Sequence, residues 1–298
     1  MIILLKGGTS SEREVSLWTA QSIADSLTRQ GLEFQEIDAA DADWFQRVVS
    51  ASPSVVVIAL HGPYGEDGTV QRLLEEKGIP HTGSRADVAA VTIDKALTKQ
   101  RVAELGVATP TAKVITGGEP IEWESEFPVV VKPNAEGSSF GVSIVQSADE
   151  LQAAVEVALT FDTTVLVEEY VQGLELTCGV IDVLGEARAL PLVEIIPSHQ
   201  FFDFDTKYTA GLCEEICPAR VSSETTELVQ GLSLKIYQAL DLSQYARLDW
   251  VLRDGTPYFL EVNTLPGMTK TSLITKELAA AGIDFDSFIA AIAVGETS

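Results

Sequence analysis

The chain has 298 residues, 46% hydrophobic and 21% charged, which is typical of a globular protein with two or three domains. Its formal net charge of −24 argues against nucleic acid or an anionic membrane as a partner, because both require a basic surface. The three cysteines lack CxxC spacing, which disfavours a disulfide framework or a zinc ribbon. No apolar stretch is long enough for a signal peptide or a membrane span, so we expect a cytoplasmic protein.

Residues 1–94 are predicted to form a doubly wound α/β domain. Continuous apolar strands at 2–5 and 55–60, each followed by a glycine-rich loop and a helix, are typical of a parallel sheet covered on both faces. Such loops present backbone amides at the edge of the sheet where ligands bind. His61 opens the second loop, and either a substrate contact or an ordinary core histidine fits the sequence. GxGxxG spacing and the Gly-Lys pair are absent, which excludes a dinucleotide fingerprint and a P-loop.

The segment 95–170 is predicted to contain a cover for phosphate groups. A helix carries Lys95 near its start, and a later strand ends at Lys132. The loop that follows, 134–141, is rich in glycine and serine, so its backbone amides and hydroxyls can wrap a polyphosphate beside Lys132. An ordinary hairpin loop and a solvent-facing Lys95 are the alternatives.

The same loop contains a G-x-S-x-G pattern centred on Ser139, with Asp182 and His199 later in the chain. A serine hydrolase would need a strand before this serine and a helix after it. Here a polar loop comes before the serine and β-branched residues follow it, so the context disfavours a hydrolase.

Residues 164–183 are predicted to form two apolar strands joined by a hinge, with Glu168 and Glu175 on either side. Exposed backbone groups at a hinge can receive an adenine edge, and a carboxylate can bind ribose hydroxyls. A solvated charge cluster fits the sequence equally. A further strand is predicted at 188–196, followed by an aromatic loop at 199–208 that we interpret as a lid excluding water.

The last predicted hairpin, which turns at residues 254–255, concentrates polar side chains. Asp249 and Arg247 share a face of its first strand, and Glu261 and Asn263 share a face of its second. A plain two-residue turn places Asp249 and Glu261 on opposite faces, whereas a three-residue loop or a bulge brings them together. We expect them to converge on magnesium bound with substrate phosphates; a solvated hairpin face is the alternative.

These segments together resemble the D-alanine–D-alanine ligase family of the ATP-grasp superfamily. The resemblance is collinear over essentially the whole chain and is carried by segments 7–16, 61–68, 132–139, 207–208, 247–249 and 261–269. It implies an α/β fold with a three-domain ATP-grasp architecture. Residues 1–94 would be the doubly wound N-terminal domain, and residues 95–170 and 171–298 two α+β domains that clamp the nucleotide.

The resemblance also implies a role for each matching residue. Glu12 would bind the ammonium of the first D-alanine in a hydrogen-bonded set with Ser138 and Tyr208, with His61 nearby. Arg247 and the Gly267 amide would form the oxyanion site, and Ser272 and Leu273 would contact the second D-alanine. The implied ligands of Mg²⁺ or Mn²⁺ are Asp249, Glu261 and Asn263. The implied contacts to ATP are Lys95, Lys132, Glu168, Glu169, Val171, Glu175 and Lys207.

The implied reaction is ATP-dependent ligation of two D-alanines through an acyl phosphate, for peptidoglycan precursor synthesis, in a homodimer. Tyr208 favours a dipeptide product, since the family members that make depsipeptides share the absence of a tyrosine at this position. Phe202 and Phe204 stand where many relatives carry tyrosine, and Thr275 stands where proline is frequent. Another carboxylate–amine ligase, including one that uses D-lactate, and a catalytically silent nucleotide-binding protein are the alternatives.

Overall fold

The structure, a computed structural model, describes residues 1–117, 121, 123–197 and 213–294. Within these residues the strands form three sheets, one parallel and two antiparallel. The predicted lid at 199–208, with Lys207, Tyr208 and His199, lies outside the described residues. No described helix is both long and apolar enough to cross a membrane.

The first sheet is parallel, with strand order β2-β1-β3, and its helices connect successive strands. The elements in chain order are β1 (Ile2–Lys6), α1 (Arg13–Arg29), β2 (Phe34–Asp38), α2 (Trp44–Ala51), β3 (Val55–Ile58), α3 (Thr69–Glu75) and α4 (Ala86–Ile93). The β1 and β3 strands are continuously apolar and almost fully buried, as expected for a parallel sheet covered on both faces.

The second sheet is antiparallel, with strand order β4-β7-β5-β6. Its segment of the chain consists of α5 (Lys95–Glu104), β4 (Ala112–Thr116), β5 (Val129–Pro133), β6 (Ser143–Val145), α6 (Ala148–Ala158) and β7 (Thr164–Glu169). Helix α5 begins where the Asp94 side chain accepts a hydrogen bond from the Leu97 amide at 2.9 Å, an N-cap that fixes the direction of Lys95. The apolar face of α6 packs on β5 and β6.

The third sheet is antiparallel, with order β11-β10-β8-β12-β13 and β9 beside β8. Its elements are β8 (Leu174–Ile181), β9 (Arg188–Ala189), β10 (Val193–Pro197), β11 (Cys213–Ile216), α7 (Ser223–Ala239), β12 (Tyr245–Arg253), β13 (Thr256–Asn263), α8 (Leu273–Ala280) and α9 (Phe285–Val294). The prediction of one strand over 188–196 was wrong, since Pro191 lacks an amide for the ladder and separates β9 from β10.

The C-terminal helices return to the first sheet. Helix α9 packs against α1 and β3, and its Phe288 and Ile289 belong to the same buried cluster as Leu5 and Leu27. The chain ends therefore share one apolar core, which brings the loop after β13 close to the loop after β1. The boundaries at residues 94 and 170 remain a prediction.

The β12–β13 hairpin shows whether Asp249 and Glu261 lie on the same face of the sheet, which the sequence left open. Asp254 and Gly255 both have positive φ, at 51° and 78°, which gives a two-residue turn. The register then shifts beside Asp249, where Leu260 is the extra residue of a bulge, and Asp249 stands directly opposite Glu261. The expectation of a bulge that joins the two carboxylates on one face is confirmed.

Removal of the Phe259 ring should destabilise the fold strongly. This residue is fully buried, and its ring contacts Trp250 edge to face with the ring centroids 5.6 Å apart. We expect Phe259→Ala to lower the free energy of unfolding by about 3–5 kcal/mol, because a buried cavity replaces the ring. Urea unfolding followed by tryptophan fluorescence measures this loss. The control is Leu228→Ala on the exposed side of α7, and equal effects of both substitutions would contradict the packing described.

Candidate active site

A cleft separates the second and third sheets, and each of its two walls carries both positively and negatively charged side chains. The second sheet contributes Lys132 and Glu168, and the third contributes Arg247, Asp249 and Glu261. The loop between β5 and β6 covers one end of the cleft. The remaining predicted site residues on the walls are Lys95, Glu169, Val171, Glu175 and Leu273.

Glu12 lies at the inner end of the cleft between two glycines from different parts of the chain. A Cβ atom on Gly62 or on Gly137 would come within 2.5 Å of its Oε2 atom, so a side chain at either position would displace the Glu12 carboxyl group. Ser138, from the glycine-rich loop, donates a hydrogen bond to Glu12 Oε1. The structure therefore brings together Glu12 and Ser138, which are 126 positions apart.

A second buried carboxyl group, that of Glu66, faces the same space. It accepts hydrogen bonds from the amides of Gly62 at 2.7 Å and Leu265 at 3.4 Å. Burial, together with the nearby charge of Glu12, raises the pKa of Glu66 to about 8. Glu66 borders a small cavity that extends from Gly62 to Lys95 and Glu261.

His61 is buried beside these acids, and burial lowers its pKa to about 4, so the ring is neutral at physiological pH. Its Nε2 atom lies 3.0 Å from Thr19 Oγ1. Thr19 Oγ1 also accepts a hydrogen bond from the Met268 amide at 3.2 Å. A single threonine on α1 therefore links His61 to the loop that carries Gly267.

The loop after β13 leads into α8, whose N-cap residue is Ser272. The Thr269 amide donates a hydrogen bond to Ser272 Oγ at 2.9 Å, which closes the loop around Gly267. Leu273, the first residue of α8, reaches the wall of the cleft. Gly267 and Ser272 thus lie together near α1, next to Leu273 on the wall of the cleft.

A buried row of three charges crosses the second sheet. Glu168, with 3% of its side chain exposed, pairs with Lys99 Nζ at 2.7 Å and with Lys132 Nζ at 2.8 Å. Burial lowers the pKa of Lys99 to about 8, although Glu168 opposes this change. Burial also disfavours the charged forms of Glu168 and Lys132, but their mutual attraction prevails, lowering the pKa of Glu168 and raising that of Lys132.

The segment between β7 and β8 forms the hinge-side edge of the cleft. Glu169 points its side chain toward Arg253, with an ion pair of 2.6 Å. Its amide donates to the Thr111 carbonyl at 2.8 Å, so this segment is held against the second sheet. Val171 is buried, and Glu175 lies on β8 opposite Val251.

The opposite wall carries the two carboxylates joined by the bulge. Arg247 donates to both oxygens of Asp249, at 2.9 and 2.8 Å, and Asn263 Nδ2 donates to Asp249 Oδ2 at 3.1 Å. Lys95 Nζ lies 3.4 Å from Glu261 Oε2 and donates to the Glu136 carbonyl at 2.6 Å. Two facing carboxylates repel each other, so the neighbouring cations stabilise the arrangement.

This wall fits the chemistry of a hard divalent cation. Among the described residues no group of three or more His, Cys, Asp or Glu side chains is placed to hold a metal. The candidate ligands are therefore the two facing carboxylates and the side-chain oxygen of Asn263, two residues after Glu261 on the same strand. Oxygen ligands of this type, few in number, suit magnesium that also binds substrate phosphates.

The sequence missed three residues that the structure places in the site. Lys99 and Thr19 are buried and Glu66 is half-buried, and each contacts a predicted site residue or its loop. Helical spacing offered a signal for Lys99 alone, one turn after Lys95. The alternative of a solvent-facing Lys95 is wrong, because its side chain is only 10% exposed.

The hydrolase pattern around Ser139 is not a nucleophile elbow. The loop connects two antiparallel strands, β5 and β6, whereas an elbow connects a strand to a helix. Asp182 accepts a hydrogen bond from the Tyr237 hydroxyl at 2.9 Å, on the far side of the third sheet's core.

A nucleotide-sized cleft between two antiparallel sheets, with lysines on one wall and paired carboxylates on the other, defines an ATP-grasp fold. Residues 39–84 match the family described as D-ala D-ala ligase N-terminus, and residues 111–293 match that described as D-ala D-ala ligase C-terminus. The chain therefore belongs to the D-alanine–D-alanine ligase family of enzymes.

Individual relatives agree with this assignment. The D-alanine–D-alanine ligase of Aquifex aeolicus is 42% identical, over 98% of this chain and 99% of the relative. The ligase of Syntrophotalea carbinolica is 41% identical, over 99% of this chain and 95% of the relative. A crystal structure of the Bacillus anthracis ligase complexed with ATP has a TM-score of 0.85 at 35% identity, over 98% and 95%. The VanG D-Ala:D-Ser ligase of Enterococcus faecalis has a TM-score of 0.83 at 29% identity, over 98% and 97%.

We predict that Glu168→Gln destabilises the fold, because it leaves two buried ammonium groups without a carboxylate. The expected loss in the free energy of unfolding is about 3–5 kcal/mol. The matched control is Glu169→Gln, which removes a half-exposed ion pair with an expected cost of about 0–1 kcal/mol. Urea unfolding at neutral pH measures both, and a neutral result for Glu168→Gln would show that the row of charges is not compensated as described.

We also predict a pH dependence of stability from His61. Its pKa is about 4 when folded and 6.5 ordinarily, so between these values the unfolded chain binds the proton and the folded chain does not. Stability from this residue is present above about pH 6.5 and is lost as pH falls, by up to about 1.4 kcal/mol per pH unit. His61→Gln should therefore flatten this part of the unfolding free-energy curve. Parallel curves for the two proteins would contradict the prediction.

Proposed function

We propose that this enzyme uses ATP to join two D-alanines into D-alanyl-D-alanine, a precursor of peptidoglycan. One observation carries the proposal: lysines and facing carboxylates line a cleft whose lining residue Gly137 lies against the carboxylate of Glu12. The family supplies the identity of the substrates, and an ATP complex of the related Bacillus anthracis ligase supports the nucleotide.

The nucleotide would lie along the cleft with its base at the hinge. Glu168, Glu169 and Val171 would meet adenine there, and Glu175 would bind the ribose. Lys95 and Lys132 point into the cleft from different elements and would contact phosphates, together with Lys207 from outside the described residues. A fixed row of charges that holds Lys132 supports its role as a point charge for phosphate.

Asp249, Glu261 and Asn263 would hold Mg²⁺ or Mn²⁺. When bound, such an ion would offset the negative charge gathered around the transferred phosphoryl group. Arg247 and Lys95, which pair with the two carboxylates, would then be available to the substrates. Support comes from the facing register of Asp249 and Glu261, which the bulge sets.

In the first step the carboxylate of one D-alanine would attack the γ-phosphorus of ATP and release ADP. Glu12, held by Ser138 and bordered by Gly62 and Gly137, would bind the ammonium group of that D-alanine. A neutral His61 beside this position would add no charge to compete with the ammonium group. Tyr208 would complete the set. The product of this step is an acyl phosphate.

In the second step the neutral amine of the other D-alanine would attack the acyl carbon. The tetrahedral oxyanion would accept hydrogen bonds from Arg247 and the Gly267 amide, and inorganic phosphate would then leave. Ser272 and Leu273, at the start of α8, would bind the second D-alanine. The aromatic segment 199–208 would exclude water, which otherwise hydrolyses the acyl phosphate.

The second substrate is the finer part of the proposal. The related VanG enzyme is a D-Ala:D-Ser ligase with the same fold, so the fold by itself does not select the second substrate. Tyr208 and the family favour a dipeptide of D-alanine over a D-lactate product. We also propose that the protein acts as a cytoplasmic homodimer, as the family implies.

We expect ATP hydrolysis coupled to product formation only when magnesium and D-alanine are both present. Phosphate release with D-alanine, L-alanine or D-lactate, together with mass spectrometry of the product, measures this. Glu261→Gln should lower turnover by at least about 100-fold, because it removes a contact to the charged transition state. The control is Asp254→Asn at the turn of the same hairpin, and equal loss in both variants would remove Glu261 from the reaction.

A serine hydrolase acting through Ser139 would be labelled by a fluorophosphonate. We expect no labelling, because the loop lacks the strand–helix context of a nucleophile. Labelling that disappears in Ser139→Ala and persists with magnesium and ATP would overturn the ligase assignment for this site.

A further inference from the structure

Glu277 is a fully buried acid that has no role in the reaction described above. It lies on α8, one turn after Leu273, with 0% of its surface exposed. Its Oε1 atom accepts a hydrogen bond from the Gly179 amide at 2.9 Å. Its Oε2 atom is buried and has no hydrogen-bond partner among the described residues. A buried carboxyl oxygen without a partner costs free energy, so it calls for an explanation.

The carboxyl group of Glu277 occupies space next to Arg247. Gly179 on β8 is the direct partner of Arg247 on β12, so their side-chain directions lie on the same face of the sheet. A Cβ atom on Gly179 would lie 2.5 Å from Glu277 Oε2. The missing side chain at this position therefore leaves room for the carboxyl of Glu277 beside the arginine. Arg247 and Glu277 attract each other electrostatically.

Arg247 depends on a partner that the reaction also requires. Its guanidinium binds both oxygens of Asp249, while Asp249 is a proposed metal ligand. Only 15% of the Arg247 side chain is exposed, and a largely buried cation that loses the carboxylate with which it forms an ion pair is strongly destabilised. Glu261 also attracts Arg247, but Glu261 is itself a proposed ligand. Glu277 is the remaining acid near Arg247, and no described cation forms an ion pair with it.

We propose that Glu277 is a positioning residue that stabilises the guanidinium of Arg247 when Asp249 turns toward a metal ion. Arg247 then stays fixed at the oxyanion position while Asp249 is released to the metal. The inference rests on the proposed function of the metal site. Glu277 would also tie Arg247 to α8, whose first residues contact the second D-alanine.

The protonation of Glu277 agrees with such an exchange of partners. Burial raises its pKa to about 8, and Arg247 opposes this rise while Asp249 adds to it. As long as Arg247 is held by Asp249, the carboxyl is largely protonated near neutral pH. Departure of Asp249 from Arg247 would favour the ionised form of Glu277. Among the described residues, the thiols of Cys178 and Cys217 also lie near it, and burial raises the pKa of both thiols.

The test measures metal binding as well as turnover. Electron paramagnetic resonance follows Mn²⁺ binding to the full chain with a non-hydrolysable ATP analogue. We expect Glu277→Gln to weaken Mn²⁺ binding by about tenfold, because Asp249 then remains committed to Arg247. The amide oxygen still accepts the Gly179 hydrogen bond, so the thermal stability of the unliganded protein should be unchanged. Turnover should fall through kcat more than through KM for ATP.

Two further variants separate charge from packing. Gly179→Ala should displace the Glu277 carboxyl and reproduce the weaker Mn²⁺ binding without removing an acid. In Glu277→Ala with Gly179→Ala, the new methyl group fills part of the vacated space but supplies no charge. Weak Mn²⁺ binding in this double variant supports the proposal, whereas recovery to the wild-type affinity would show that Glu277 only packs α8.

The outcome also distinguishes this inference from the proposed function. If the wild-type protein does not bind Mn²⁺ with the nucleotide analogue, the proposed metal site itself fails. If the wild type binds Mn²⁺ and Glu277→Gln binds it equally well, the metal site stands and the positioning role of Glu277 is overturned.

Discussion

The site depends on the compensation of buried charge, because three of the acids that line the cleft lie next to a cation. Glu168 lies between Lys99 and Lys132, Asp249 lies against Arg247, and Glu261 lies near Lys95. Without these pairs, desolvation would neutralise the groups or unfold the walls that carry them. The same pairs keep cations and carboxylates ready for a substrate of high negative charge in a chain whose own net charge is −24.

On the wall formed by the third sheet, the pairing of charges depends in turn on the register of the β12–β13 hairpin. The two-residue turn by itself would direct Glu261 away from Asp249, and the single extra residue Leu260 reverses that outcome. Packing of the C-terminal helices on the first sheet then brings the loop after β13 against α1, where Thr19 joins it to His61. A local irregularity and a long-range contact are therefore both needed to assemble one site.

Many of the helices and strands could be predicted from the sequence because their signals lie within each segment of the chain. Apolar runs, alternation and caps located the principal helices and most strands, since those signals arise from the period of each element. Strand β2, helices α2 and α4 and strands β4 and β11 were not predicted; β4, for example, exposes most of its residues and lacks a clear apolar pattern. For Lys95 the helix pattern alone could not exclude a solvent-facing side chain, because a helical lysine shows its partner only when another element packs against it.

By itself, the sequence determined the family, the order of the elements and the identity of the residues around the cleft, because motifs and periodicity are properties of the chain. Only the tertiary structure decided which charges are buried and which groups face each other. Lys99 and Glu277 look like ordinary charged residues of a helix until other elements exclude water from them. Burial and partner choice are set by contacts between residues far apart in the chain, and these contacts give such side chains their altered pKa values.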